Sequence, residues 1–127
     1  MPATIFHRSR VLLVEDEFLI CEMLVGALTE HGFEVHAFAN AEDALRHLAR
    51  GEPCDVLFTD INLSDGVDGT VLSRLARDLR PGLPVVYASG SVATLADLQA
   101  VPGASFVPKP YDPDQVCSML SRIAAPA

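Results

Sequence analysis

The chain alternates between short β-rich apolar runs and stretches in which apolar residues recur at helical spacing. The apolar runs are residues 11–14, 34–38, 56–59, 84–88 and 105–107. The helical stretches are carried by four sets of apolar residues: Phe18, Cys21, Val25 and Leu28; Ala41, Ala44, Leu45 and Leu48; Val71, Leu72, Leu75, Ala76 and Leu79; and Val116, Met119, Leu120 and Ile123. Spacings of three and four positions place such residues on one face of a helix. The pattern predicts five strands and four helices, with a further short helix over residues 92–100.

Polar and helix-breaking residues mark several of the predicted helix ends. Asn40 precedes the second helix and is a good N-cap, and Asp43 favours the positive start of the same helix. Asp112 precedes the last helix and is followed by Pro113 at the first helical position. The Pro-Gly pair at residues 81–82 should stop the third helix.

Strands that alternate with helices imply a parallel sheet, because each helix carries the chain back to the starting edge of the sheet. The apolar runs are continuous, as in strands that are buried on both faces. We therefore expect an α/β fold, a five-stranded parallel sheet with helices on both faces. In such sheets the functional crevice lies beyond the carboxyl ends of the strands.

The length of 127 residues suits one domain, which we expect at residues 10–124, with a short leader at 1–9 and a tail at 125–127. Nine basic residues against 17 acidic ones give a formal net charge of −8. This balance argues against a nucleic-acid partner, which would require a basic surface. No apolar stretch is long enough to cross a membrane or to form a signal peptide, so we expect no membrane partner.

Three cysteines, Cys21, Cys54 and Cys117, form an odd number without the spacing of metal ligands. We expect three reduced, mostly buried thiols in a cytosolic protein. The four histidines also lack ligand spacing, so neither residue type predicts a metal site.

Chemically active side chains follow four of the predicted strands. They are Glu15, Asp16 and Glu17 after the first strand, Asp60 after the third, Ser89 after the fourth and Lys109 after the fifth. Carboxylates gathered at one edge of a sheet repel one another unless a cation compensates their charge. Mg2+ prefers one or two carboxylates together with water and phosphate oxygens. The set therefore predicts a magnesium site that receives a phosphoryl group.

Each of these residues, taken alone, also has an ordinary structural explanation. Asp16 can cap the first helix, and Asp60 fits a turn aspartate better than a nucleophile. Lys109 and Ser89 fit a solvated lysine and a turn serine. Only the order and placement of the set favour phosphoryl transfer, in which catalysis consists of positioning and charge neutralisation.

Four segments carry more specific motifs: VLLVEDE at 11–17, TDINLSDGVDG at 59–69, VVYASG at 85–90 and FVPKP at 106–110. With these motifs the chain resembles, over nearly its whole length, the receiver domain of two-component response regulators, of the single-domain, CheY-like type. The resemblance implies a (βα)5 flavodoxin-like receiver fold. It also implies a phosphoacceptor that takes a phosphoryl group from a phosphohistidine and switches conformation for protein–protein signalling.

The resemblance implies four metal-binding roles around a Mg2+ ion. Asp16 and Asp60 resemble the carboxylates that bind the ion directly. Asn62 matches the residue whose backbone carbonyl completes the metal shell, and Glu15 matches the acid that acts through water.

The resemblance likewise implies the roles of the residues around the phosphoryl group. Asp60 looks like the phosphoacceptor, Lys109 like the cation that contacts the phosphoryl group, and Ser89 like the switch hydroxyl. Phe106 matches the aromatic residue whose rotamer couples to the switch, and it equally fits a plain core aromatic. The Lys109–Pro110 bond is cis in relatives, as only proline readily allows.

The partners implied are a sensor histidine kinase or a histidine phosphotransfer protein, and a downstream protein target. A homodimer is possible, and the expected location is cytoplasmic. We expect no enzyme activity beyond self-phosphorylation and autodephosphorylation.

The chain departs from the common pattern of such receivers after the third and fourth strands. Ser64 stands where many relatives have proline, and the loop that contains Gly66 and Asp68 is about one residue longer. Lys109 follows Ser89 by 20 positions, fewer than in typical relatives. The helix over 92–100 is therefore expected to be shortened or mobile, which puts in doubt any output that depends on its usual surface.

Three alternatives have different requirements. A small Mg-dependent phosphatase of the haloacid-dehalogenase type would need a second Asp two residues after the first, but Asn62 occupies that position. A flavin binder would need a phosphate loop after the first strand, where three acids would repel phosphate. A phosphorylation-independent, receiver-like interaction module would not need the filled set of key positions.

Overall fold

The computed structural model describes residues 8–63, 68–90, 100–109 and 111–124. Its elements, in chain order, are β1 (Arg10–Val14), α1 (Phe18–Glu30), β2 (Glu34–Phe38), α2 (Ala41–Ala49), β3 (Val56–Asp60), α3 (Gly69–Leu79), β4 (Val85–Ser89), β5 (Ser105–Pro108) and α4 (Pro113–Ile123). The five strands form one sheet in the order β2-β1-β3-β4-β5, and every neighbouring pair is parallel. The predicted α/β fold is confirmed.

Helices cover both faces of the sheet and bury the strands between two cores. Alternate residues of each central strand enter opposite cores, as Leu13 and Phe58 do on one face and Leu12 and Leu57 on the other. Helices α1 and α4 close the first core, and α2 and α3 close the second. Burial on both faces explains why the strands read as continuous apolar runs.

The predicted caps of two helices are confirmed. The side chain of Asn40 accepts a hydrogen bond from the backbone of Asp43 at the start of α2. Asp112 caps α4 in the same way, with Pro113 in the first turn. The cap position of α1 belongs to Glu17, whose side chain makes no capping hydrogen bond. The explanation of Asp16 as a helix cap is therefore wrong.

Two strands end later than the sequence pattern predicted, and this changes how the polar residues are held. Strand β3 includes Asp60 and strand β4 includes Ser89 as their last residues. Both residues therefore belong to the hydrogen-bonded sheet, with Asp60 paired opposite Ala88. Helix α3 starts at Gly69, two residues before the first residue of its apolar set.

Some apolar residues that were expected to face the core are exposed. Phe18 is 73% exposed because the buried side of α1 runs through Leu24 and Leu28, about a third of a turn away. Leu75 and Leu79 are 41% and 45% exposed, since they line a groove between α2 and α3.

The cysteines are free, but only Cys117 is fully buried, and Cys21 and Cys54 are half-buried. The prediction of mostly buried thiols is confirmed, although Cys21 and Cys54 keep some exposure. Their partial burial follows from positions at the margins of the two cores.

Several predictions fall on residues outside the described ranges. They are the helix over 92–99, the loop positions Ser64 and Gly66, the Lys109–Pro110 bond, and most of the leader and tail. Ala100, the last residue of the predicted short helix, is described and is not helical. Within the described ranges, no helix has both the length and the apolarity needed to cross a bilayer.

Candidate functional site

The residues singled out at the strand ends meet at one edge of the sheet. Asp60 ends β3, Ser89 ends β4, and the acids of residues 15–16 directly follow β1. Lys109 directly follows β5, and its backbone N–H donates to the carbonyl of Ser89 at 2.7 Å. The central position of β1 and β3 in the sheet brings carboxylates from two separate motifs into contact distance.

Three carboxylates form the centre of this site. Glu15 and Asp60 are 3% and 5% exposed, and Asp16 is half-buried. One oxygen from each lies within 4.8 Å of the others. Burial raises the pKa of Glu15, although the N–H of Glu17 and the charge of Lys109 oppose that rise.

Lys109 neutralises part of this negative charge. Its Nζ lies 2.5 Å from Oδ2 of Asp60 and 3.6 Å from Oε1 of Glu15. Burial by itself would lower the pKa of Lys109, but the hydrogen bond to Asp60 and the charges of Asp60 and Glu15 raise it overall. The lysine is therefore held as an ammonium ion against the carboxylates.

The carboxylate of Asp60 is held on its second oxygen as well. The N–H of Asn62 donates to Oδ1 at 3.2 Å. The backbone of the next residue is fixed to the sheet, since the N–H of Ile61 donates to the carbonyl of Ala88. An open pocket lies over this carboxylate, lined also by Asp16, Glu17, Asn62, Leu63, Gly90 and Lys109. Asp60 is thus oriented by the protein and can be reached through the pocket.

The donor set fits a hard divalent cation. The oxygens of three carboxylates lie within 4.8 Å of one another and could supply the one or two carboxylate ligands that Mg2+ usually takes, and the open pocket leaves room for its waters.

Gly69 is a site residue that the sequence pattern did not single out. A Cβ built on Gly69 would overlap the backbone carbonyl of Asp60, and the N–H of Gly69 donates to the carbonyl of Ile61 at 2.8 Å. Helix α3 can therefore start directly against the end of β3 only with glycine there. The signal available in the sequence was the Asp-Gly pair that closes the 59–69 motif.

The start of α3 holds a further residue that was missed. Asp68, expected only as part of a lengthened loop, accepts hydrogen bonds from the backbone of Thr70 and Val71 and caps the helix. Asp68 stands shortly before the apolar set of α3, and an aspartate in that position is a typical helix N-cap.

Phe106 packs against the core under α2 and α3, and alternation along β4 places Ser89, two residues after Tyr87, on the same side of the sheet. Ser89 is 5% exposed, and Phe106 is half-buried with its ring centroid 5.4 Å from that of Tyr87. Tyr87 was read from the sequence only as part of an apolar strand. Its buried hydroxyl is hydrogen-bonded to Ser73 and to the backbone of Val101.

Comparisons with known proteins agree with this geometry. The chain matches the family model of the response regulator receiver domain over residues 11–121. The response regulator receiver protein CpdR of Brucella abortus (strain 2308) is 35% identical over 105 residues, which cover 81% of this chain and 86% of CpdR. The crystal structure of a response regulator receiver protein from Sinorhizobium medicae WSM419 has a TM-score of 0.85 at 30% identity, covering 92% of this chain and 94% of that one.

A much longer relative also matches most of this chain. The DNA-binding transcriptional regulator NtrC of Proteus hauseri is 32% identical over 118 residues, which cover 91% of this chain but only 24% of NtrC. This chain thus spans about a quarter of that relative. The match over residues 11–121 and the similarity to CpdR show that the chain belongs to the receiver domain family of two-component response regulators.

Proposed function

We propose that Asp60 is the phosphoacceptor of this receiver domain and takes the phosphoryl group of a phosphohistidine. The observation that carries the proposal is the placement of the Asp60 carboxylate. It ends a buried strand, contacts Lys109 at 2.5 Å, and lies within 4.8 Å of the oxygens of Glu15 and Asp16 beneath an open pocket. A turn aspartate would not need a partly buried lysine and two further acids around it.

We assign Mg2+ to the acidic group. Asp16 and Asp60 would bind the ion directly, the backbone carbonyl of Asn62 would complete its shell, and Glu15 would act through a water molecule. When bound, the ion would neutralise charge on the transferring phosphoryl oxygens. The order of these residues in the motifs supports the assignment, together with the fit of their oxygens to a hard cation.

The transfer forms an O–P bond at a carboxylate oxygen of Asp60 and breaks the N–P bond of the phosphohistidine. The acyl phosphate formed no longer presents the free carboxylate that Lys109 contacts. Lys109 would then contact a phosphoryl oxygen, and the Ser89 hydroxyl would donate to another. Phe106, which packs beside β4, would follow the movement of Ser89.

The partners follow from this chemistry. The phosphoryl donor would be a sensor histidine kinase or a histidine phosphotransfer protein, and a downstream protein would recognise the phosphorylated form. We propose no catalysis beyond self-phosphorylation and autodephosphorylation. A cytoplasmic location agrees with the three free cysteines.

The test is incubation with Mg2+ and a small acyl phosphate, followed by intact mass measurement. We expect the mass of one phosphoryl group to be added to the wild type and to be absent from Asp60→Asn. Asp78→Asn is the matched control, since it makes the same change at an exposed position on α3 and should be phosphorylated normally. Folding of Asp60→Asn is checked by its circular dichroism spectrum.

Two results would contradict the proposal. Phosphorylation of Asp60→Asn at the wild-type level would place the acceptor elsewhere. A wild-type chain that neither accepts the phosphoryl group nor binds Mg2+ would favour the phosphorylation-independent interaction module.

A further inference from the structure

Tyr87 occupies a central position in the core beneath the site. It lies in β4, two residues before Ser89, and is fully buried. Its ring packs against that of Phe106, with centroids 5.4 Å apart and planes inclined by 31°. The strand register also places Tyr87 directly opposite Phe106 in β5. The ring of Tyr87 therefore limits where Phe106 can lie.

The hydroxyl of Tyr87 is the middle of a buried chain of hydrogen bonds. The N–H of Val101 donates to the Tyr87 oxygen at 3.1 Å, and that oxygen lies 2.5 Å from Oγ of Ser73. Ser73 donates its own proton to the carbonyl of Thr70 at 2.8 Å. Tyr87 must therefore donate to Ser73, and the chain runs in one direction from Val101 to Thr70.

One end of this row of hydrogen bonds, at Thr70, lies close to the proposed phosphoacceptor. Thr70 is in the first turn of α3, which starts at Gly69 against the backbone carbonyl of Asp60. Gly69 also donates to the carbonyl of Ile61, the residue that follows the acceptor. A displacement of the backbone after Asp60 must therefore move the first turn of α3.

The other end of the row of hydrogen bonds, at Val101, lies where the polypeptide returns towards β5. Val101 is 6% exposed, so its N–H depends on the Tyr87 oxygen for a hydrogen bond. Arg77 of α3 adds a second connection, since its Nη1 donates to the carbonyl of Pro102 at 2.6 Å. The backbone at residues 101–102 is thus attached to α3 and leads directly into the strand that carries Phe106.

We propose that Tyr87 is a positioning residue that couples the phosphoacceptor to Phe106 and to the backbone after residue 100, through the hydrogen bonds of its hydroxyl to Ser73 and Val101. This inference rests on the proposed role of Asp60. Buried hydrogen bonds are directional and strong in a medium of low dielectric constant, so movement of α3 is transmitted to Val101 and to the Tyr87 ring.

The test compares Tyr87→Phe with the wild type by NMR. Beryllofluoride with Mg2+ serves as the probe for the phosphorylated state, and shift changes are read at residues 60–63 and at 101–106. We expect both regions to respond in the wild type. In Tyr87→Phe, residues 60–63 should respond fully, while the changes at 101–106 should shrink by about threefold or more, as substitutions within a coupling network can do.

The second tyrosine of the chain provides a matched control. The hydroxyl of Tyr111 is buried on the other face of the sheet without a hydrogen-bond partner among the described residues. Tyr111→Phe therefore makes the same chemical change without breaking the hydrogen bonds from Val101 to Thr70. Its NMR response should equal that of the wild type. Ser73→Ala removes the hydrogen bond between Tyr87 and α3, so it should also reduce the shift changes at residues 101–106. It replaces Tyr87→Phe in the test if that variant does not fold.

The outcomes are distinguishable. An undiminished response at 101–106 in Tyr87→Phe and Ser73→Ala would overturn the coupling, as would an equal loss in Tyr111→Phe. A general loosening of the fold would instead accelerate amide exchange in β1 and β3 and weaken the response everywhere, which also contradicts the proposal. No response at 60–63 in the wild type would overturn the proposed function and this inference with it.

Discussion

At the residue scale, the carboxylate of Asp60 is held from several directions at once. Lys109 contacts one oxygen of Asp60 and the backbone of Asn62 donates to the other. The Oγ1 of Thr59 donates to the backbone carbonyl of Asp60, and Gly69 packs against that same carbonyl. The orientation of the carboxylate therefore depends on these close contacts. Substitutions beside it should change the rate of phosphorylation as well as the stability of the fold.

The first prediction concerns Gly69→Ala. The new Cβ would overlap the carbonyl of Asp60, which belongs to a paired strand and cannot move aside easily. We expect a loss of about 1–3 kcal/mol in the free energy of unfolding, the usual range for overpacking. We also expect slower phosphorylation by acyl phosphate, measured by intact mass against time.

Gly26→Ala is the matched control, because a Cβ on Gly26 in the exposed part of α1 would meet nothing within 4 Å. Removing a glycine from a helix interior should raise stability by roughly 0.5–1 kcal/mol without changing phosphorylation. Equal effects of the two substitutions would show that the contact of Gly69 with Asp60 has no importance.

At this scale the sequence placed Asp60, Lys109 and the acids correctly because their order along the chain is itself informative. It could not reveal the contact of Gly69 with Asp60 or the hydrogen bonds of Tyr87. The importance of Gly69 depends on how closely α3 approaches β3, and that of Tyr87 on which residues its hydroxyl reaches. Both are properties of packing between distant segments.

At the element scale, the start of α3 lies between its cap, Asp68, and the end of β3 at Asp60. The side chain of Asp68 accepts hydrogen bonds from the backbone and hydroxyl of Thr70 and from the backbone of Val71. These bonds hold the pKa of Asp68 below its ordinary value, with the Thr70 hydroxyl contributing most and burial opposing. The carboxylate form therefore stabilises the folded state.

The second prediction is a pH-dependent cost of Asp68→Ala. Loss of an N-cap should lower the free energy of unfolding by about 1 kcal/mol at neutral pH. Because the folded pKa is lowered, this contribution is present above the unfolded value near 3.8 and is lost as pH falls through the folded pKa. Urea denaturation of wild type and variant down to about pH 3 should show the difference shrinking.

Asn40→Ala is the control, since Asn40 caps α2 with an amide that does not titrate. Its cost should be similar at neutral pH and should change far less with acid. A cost of Asp68→Ala that stays constant down to the lowest pH would contradict the role of the carboxylate.

The elements themselves were predicted well because strands buried on both faces and helices with strong caps leave clear patterns. The errors occur at element ends and edges. Asp60 and Ser89 extend their strands because backbone pairing with a neighbouring strand continues past the apolar run. Phe18 is exposed because helical spacing does not reveal which side of α1 meets the sheet.

At the scale of the whole molecule, the chain carries a formal net charge of −8, and three of its carboxylates lie together at one edge. Lys109 contacts two members of this group, Asp60 and Glu15. The folded state without metal therefore bears repulsion that a divalent cation would remove.

The third prediction is that Mg2+ stabilises the fold through this group. A hundredfold excess over the dissociation constant should add about 2.7 kcal/mol to the free energy of unfolding. Asp16→Asn should lose most of this gain and should be more stable than the wild type without metal, since it removes one of the mutually repelling charges. Thermal denaturation with Mg2+ and with NaCl at equal ionic strength measures both effects.

Asp114→Asn removes the same charge from α4, outside the acidic group, and should keep the full gain from Mg2+. If NaCl stabilises the wild type as much as Mg2+ does, the gain reflects general screening of an acidic protein and the assigned metal site is wrong.

The sequence by itself determined the alternation of strands and helices, the parallel sheet and the order of the acids, the hydroxyl and the lysine, because these depend on local pattern and chain order. Only the tertiary structure decided how close these groups come. The 2.5 Å contact of Lys109 with Asp60, the approach of Gly69 to the backbone of Asp60 and the buried hydrogen bonds of Tyr87 each join different elements of the fold. Such contacts depend on how the elements pack in three dimensions, which local patterns do not specify.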